Sequence, residues 1–132
     1  MIGLDTNVLL RLLVEDDPAQ TERAKRFVAR RCTPQSPGFI NHIVLAEFVW
    51  VLASSYDYRR DEVADAVEGL LSGQDRVVEA EAQVRAALGD YRSGKADLID
   101  CLIGRVNRAR GCEATATFDR RAAKLDGFVR VA

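Results

Sequence analysis

Residues 1–14, MIGLDTNVLLRLLV, change period within a few positions. Ile2, Gly3, Leu4 and Asp5 alternate apolar with small or polar side chains, the two-residue period of a strand. Thr6 and Asn7 then offer capping oxygens, and Val8 to Val14 continue as a helical run. The segment reads as strand, turn, helix, with an aspartate at the carboxyl end of the strand. The same order returns late in the chain. Ala114 to Phe118 is a strand candidate, Asp119 follows it, and a short helix runs from Asp119 to Leu125.

Between these ends the chain keeps alternating. Asp17 before Pro18 is an N-cap with proline at the first helical position, and that helix extends to about Cys32. Pro34 and Pro37-Gly38 mark a loop before a short strand over Phe39 to His42, and Ile43 to Tyr56 is helical. A helix opening at Arg60 or Asp61 carries an apolar stripe of Val63, Val67, Leu70 and Leu71 and stops at Gly73. Val77-Val78 is a strand candidate. Ala82 to Tyr91 is a helix with Val84, Ala87 and Leu88 inward. Asp97 to Arg110 is another, with Leu98, Cys101, Leu102 and Val106 inward and Gly111 as its stop. Phe128 to Val131 closes the chain as a strand. Short strands alternating with helices predict an α/β fold, a parallel sheet covered on both faces.

At 132 residues the chain suits one domain, residues 1–132, with no linker composition to divide it. No apolar run approaches the roughly 20 residues that span a bilayer, and no export signal precedes the first strand. A cytoplasmic protein without a membrane segment is expected. Cys32, Cys101 and Cys112 form no C-x-x-C pair, so reduced, buried thiols are expected. The single histidine, His42, excludes two-imidazole catalysis and His-rich zinc sites. A net charge of −1 excludes a broadly basic nucleic-acid surface and leaves only local contacts. Sixteen of the nineteen basic residues are arginines, whose forked donors suit phosphate.

Chemistry must then come from carboxylates. Open parallel sheets place ligand sites beyond the carboxyl ends of their strands, where Asp5 and Asp119 fall. Each could equally be the N-cap of the helix that follows. Glu47 sits in VLAEFVWVL, residues 44–52, where nearly every neighbour is apolar. It is either paired inside or on a narrow solvent-facing stripe. Phe48 and Trp50 are assigned to the core by helical spacing. Asp97 and Asp100 share one face of a helix start, with Asp97 as a possible N-cap and Asp100 favoured by the helix dipole. Carboxylates brought together repel and would partly protonate unless a cation neutralised them. Hard oxygen donors without histidine or thiolate favour Mg²⁺ or Mn²⁺, and such ions serve phosphodiester hydrolysis.

In the order MIGLDTNVLLRLL, VLAEFVWVL, ADLIDCLIGRVN and TATFDRRAAKL, these segments resemble the PIN-domain nucleases, and among them the VapC-type toxins of bacterial toxin-antitoxin pairs. The resemblance runs the length of the chain. It implies a three-layer α/β/α sandwich and a set of four acids carried over to Asp5, Glu47, Asp100 and Asp119. Thr6, Asn7, Asp97 and Thr117 would be accessory residues. It further implies a homodimer that cleaves RNA with Mg²⁺ or Mn²⁺ and is inhibited by a cognate antitoxin. Asp5 and Asp100 would be the principal metal ligands, and Arg11, Arg120 and Arg121, beside the acidic segments, would hold phosphates. Two other readings stay open. One is a non-catalytic metal-binding regulatory or interaction module. The other is a haloacid-dehalogenase-type phosphatase, which needs a second aspartate where this chain has Asn7.

Overall fold

The computed structural model describes Met1–Ala132 as two compact units, Met1–Glu79 and Ala80–Ala132. The first is built on three short strands, β1 (Ile2–Gly3), β2 (Gly38–Ile40) and β3 (Arg76–Val78), all parallel and in the order β1-β2-β3. Parallel neighbours must be joined by crossovers, and here each crossover is a pair of helices. Helices α1 (Thr6–Leu13) and α2 (Pro18–Arg31) join β1 to β2, while α3 (His42–Ser55) and α4 (Arg60–Ser72) join β2 to β3. The carboxyl ends of the three strands therefore lie along one edge, where the chain leaves at Leu4-Asp5, Asn41 and Glu79.

Local chemistry sets the helix boundaries. Asp17 accepts from the Gln20 N–H at 3.1 Å and Pro18 opens α2, as the sequence predicts. Asn41 accepts from the Val44 N–H at 2.9 Å, so His42 begins α3 rather than ending β2 as expected from sequence. The stripe Val63, Val67, Leu70 and Leu71 is buried, together with Leu9, Ile40, Leu45, Phe48 and Leu52. Trp50 departs from the core assignment, being 68% exposed on the outer face of α3. Helical spacing cannot separate it from Phe48 because so much of this helix is apolar.

The second unit pairs α5 (Glu81–Ser93) with α6 (Leu98–Arg110), followed by parallel strands β4 (Thr115–Thr117) and β5 (Phe128–Arg130). Its core holds Val84, Ala87, Leu88, Tyr91, Leu98, Cys101 and Leu102. β4 and β5 form a separate two-stranded sheet, and the helix expected over 119–125 is only a 3-10 turn, Ala122–Lys124. Cys32 and Cys101 are buried free thiols, whereas Cys112, just past Gly111, is exposed, against expectation.

Arg105 on α6 grips Asp90 on α5 by two bonds of 2.8 Å each, a planar fork matched to a carboxylate. On the same helix, Gly104 lets the Phe128 ring of β5 lie against α6, since a methyl group there would run into the ring. Two stability predictions follow from these contacts. Gly104→Ala should destabilise by about 1–3 kcal/mol, the usual cost of an overpacked contact. Arg105→Ala should cost about 1 kcal/mol, because the pair is partly solvated. Urea unfolding of each variant beside wild type checks both, and an unchanged midpoint for Gly104→Ala would show that Phe128 is not seated on the helix.

Candidate active site

In the first unit, Asp5 lies at the carboxyl end of β1 and caps α1. Its Oδ1 accepts from the Thr6 N–H at 2.8 Å, and the residue is exposed. The cap uses one carboxylate oxygen of an exposed residue. Thr6 is buried beside it, and its Oγ1 has no hydrogen-bond partner. A buried hydroxyl without a partner is costly, so an occupant that it can bond is favoured there. Asn7 is exposed in the first turn of α1.

Glu47 stands in the second turn of α3, which starts at the carboxyl end of β2, next to β1 in the sheet. It is exposed, not enclosed by its apolar neighbours. Its helix face also carries Ile43, 80% exposed, and Trp50. His42 Nε2 lies 2.7 Å from the Glu79 carbonyl, which can only accept, so Nε2 carries the proton. The imidazole thereby links α3 to the end of β3. Arg11, expected to hold phosphate, is already engaged within the protein. Its guanidinium donates to Asp16 at 2.7 Å and to the Tyr56 hydroxyl at 3.0 Å, and Tyr56 donates in turn to Asp16. These bonds raise its pKa further and tie the end of α1 to the end of α3.

In the second unit Asp97 occupies the N-cap position of α6, yet its side chain makes no capping bond. Its carboxylate is exposed and is not used in closing the helix. Asp100, half-buried one turn on, has its pKa raised, first by burial and then by the negative charges of Asp97 and Asp119. Asp119 follows β4 and caps the next turn. The Ala122 N–H donates to its Oδ1 at 2.8 Å, and its own N–H donates to Thr117 Oγ1 at 3.0 Å. Thr117 therefore fixes the backbone of Asp119 from two residues before.

No three of these side chains stand close enough to chelate an ion as placed. Their chemistry nevertheless fits a hard divalent cation. Burial first, and then the charges of Asp97 and Asp119, hold Asp100 partly against ionisation, and a hard cation would relieve that conflict. Beside Asp119 stands Phe118, 76% exposed, followed by exposed Arg120 and Arg121. Sequence reasoning passed over Phe118 because an apolar residue ending a strand looks like core.

The first unit is a parallel α/β sheet with an acid at the end of a strand, and the second carries acids around a helix start. The PIN-domain family model matches residues 2–128, and the chain belongs to that family. It is also similar to a VapC ribonuclease of Aquifex aeolicus (strain VF5), with 28% identity over 128 residues, 97% of this chain and 93% of that one.

The raised pKa of Asp100 gives a signed prediction. A carboxyl whose pKa is higher folded than unfolded opposes folding once ionised, and stability returns as pH falls through the folded value. In EDTA, Asp100→Asn should melt a few degrees above wild type at pH 7, with the gap closing as pH falls towards the ordinary carboxylate range. A lower melting temperature for the variant at pH 7 would contradict the repulsion.

Proposed function

We propose that this chain is a VapC-type PIN-domain nuclease, a Mg²⁺- or Mn²⁺-dependent endoribonuclease. The observation that carries this reading is the triplet Asp97, Asp100 and Asp119 in a PIN-domain chain, three carboxylates whose repulsion a divalent cation would relieve. The similarity to a VapC ribonuclease supports RNA as the substrate. Residues 1–132 would act as one nuclease domain, in keeping with one family model running through both units. A cognate antitoxin, a homodimeric state and a cytoplasmic location belong to the same proposal.

Asp5 and Asp100 would be the principal metal ligands, with Glu47 and Asp119 completing the set. When bound, the ion would supply Lewis-acid stabilisation of the charge that develops on the phosphate. The chain's own groups do the rest. Asp5 keeps one oxygen on the Thr6 N–H and presents the other. Thr6 Oγ1 and Asn7 would orient carboxylate or water beside it. Thr117 holds Asp119 in place, so that this acid is set before substrate arrives. Asp97, not used as a cap, would act as an accessory carboxylate able to take up a proton from water. Hydrolysis forms one bond from the water oxygen to phosphorus and breaks the bond to the leaving oxygen. Arg120 and Arg121 would hold flanking phosphates, and Phe118 offers its ring to an unpaired base.

Purified protein incubated with total cellular RNA and Mg²⁺ or Mn²⁺ should make discrete cuts. The cuts should vanish in EDTA and in Asp5→Asn. Equal cutting by the variant, or cutting that survives EDTA, would overturn the assignment. For a cleaved oligonucleotide, Phe118→Ala should raise KM about 5-fold or more with little change in kcat, the usual effect of losing one base stack.

A further inference from the structure

α2 is a helix with only one buried residue, Thr21. Arg23, Arg26, Phe27 and Arg30 fall at i, i+3, i+4 and i+7, with Arg31 at i+8, the spacing that normally makes the apolar stripe of a helix. Here that stripe is exposed and basic, and its side chains line one shallow open depression. The Arg31 guanidinium lies 5.5 Å from the centre of the Phe27 ring. Of the cations on α2 only Lys25 is ion-paired, to Glu15 at 2.7 Å. Like charges three and four residues apart destabilise a helix. Arg30 and Arg31 gain from the dipole at its carboxyl end, but Arg23 and Arg26 lie too far up the helix to do so. A net charge of −1 also makes this face a local departure from the rest of the molecule.

Topology separates the face from Asp5. The carboxyl end of α2 leads through residues 32–37 to the start of β2, whereas Asp5 leaves from the carboxyl end of the parallel strand β1. The arginines therefore run towards the amino edge of the sheet, away from the edge that carries the acid. They spread over about 12 Å of helix. Guanidinium forks repeated along a line, with an aromatic ring among them, match a chain of phosphates better than scattered carboxylates. We propose that the arginine face of α2 is a second RNA-backbone contact, gripping a folded RNA at a segment distant from the bond to be cut. It rests on the ribonuclease reading for its substrate class.

Binding of unfractionated tRNA in EDTA needs no turnover, so it tests this face separately from the nuclease reading. Between wild type and R23Q/R26Q/R30Q, the slope of log affinity against log salt should become shallower by about 2–3, at about 0.7–0.9 per lost contact. The single variants R23Q and R26Q should each remove about one contact, which guards against a fold defect in the triple variant. With metal, cleavage of an oligonucleotide of a few nucleotides should be unchanged in the triple variant, while KM for a long RNA rises. An unchanged tRNA slope in all variants would overturn the proposal. So would polyglutamate displacing tRNA from wild type at lower charge concentration, which would assign the face to an acidic protein. If no RNA is cut by any form, the nuclease reading fails, and the tRNA slope still decides the role of α2.

Discussion

Parallel strands cannot be joined by tight turns, and this constraint arranges the first unit. Each crossover must return to the amino edge before the next strand begins, so every strand of β1-β2-β3 ends at the same edge. Asp5, Asn41 and Glu79 are the residues at which the chain leaves that edge. All three act as helix caps or cap-like acceptors. Asp5 receives the Thr6 N–H, Asn41 the Val44 N–H, and the Glu79 carboxylate the His42 N–H at 2.9 Å. Unsatisfied N–H groups at helix starts collect oxygen side chains, and oxygen side chains at a sheet's carboxyl edge are the raw material of a cation site.

The second unit reaches a similar chemistry by another route. There the acids gather around the start of α6 and the end of β4, and they are close enough for Asp97 and Asp119 to oppose the ionisation of Asp100. Asp97 does not cap its helix, and burial adds to the charges of Asp97 and Asp119 in opposing the ionisation of Asp100. The tension suits a function in which an ion supplies the missing charge. The proposed nuclease function would use such a centre for phosphodiester chemistry, and the proposed role of α2 would add phosphate recognition on a surface outside the acidic segments.

Much of this was legible in the sequence, where a local rule had no competitor. Asp17-Pro18, the stripe from Val63 to Leu71, and Gly111 each named an element boundary or a face, and the fold follows them. The parallel α/β class was readable from alternation, and the order of four acidic segments was enough to suggest the family to which the chain belongs. Where the reading failed, a longer-range contact or a second local signal intervened. Trp50 could not be told from Phe48 because α3 is apolar on nearly every side. His42 looked like strand until Asn41 proved to be the cap. The bond from Arg11 to Tyr56, 45 residues away, is likewise invisible to local patterning. The basic stripe on α2 is present in the sequence, but only its exposure in the fold sets it apart from the other arginines of an arginine-rich chain.

The decisive experiment is calorimetric titration of Mn²⁺ into metal-free wild type and Asp100→Asn at pH 7. Wild type should bind the ion, and the variant should bind far more weakly. Equal binding by both proteins, or none by wild type, would contradict a carboxylate centre built on Asp100.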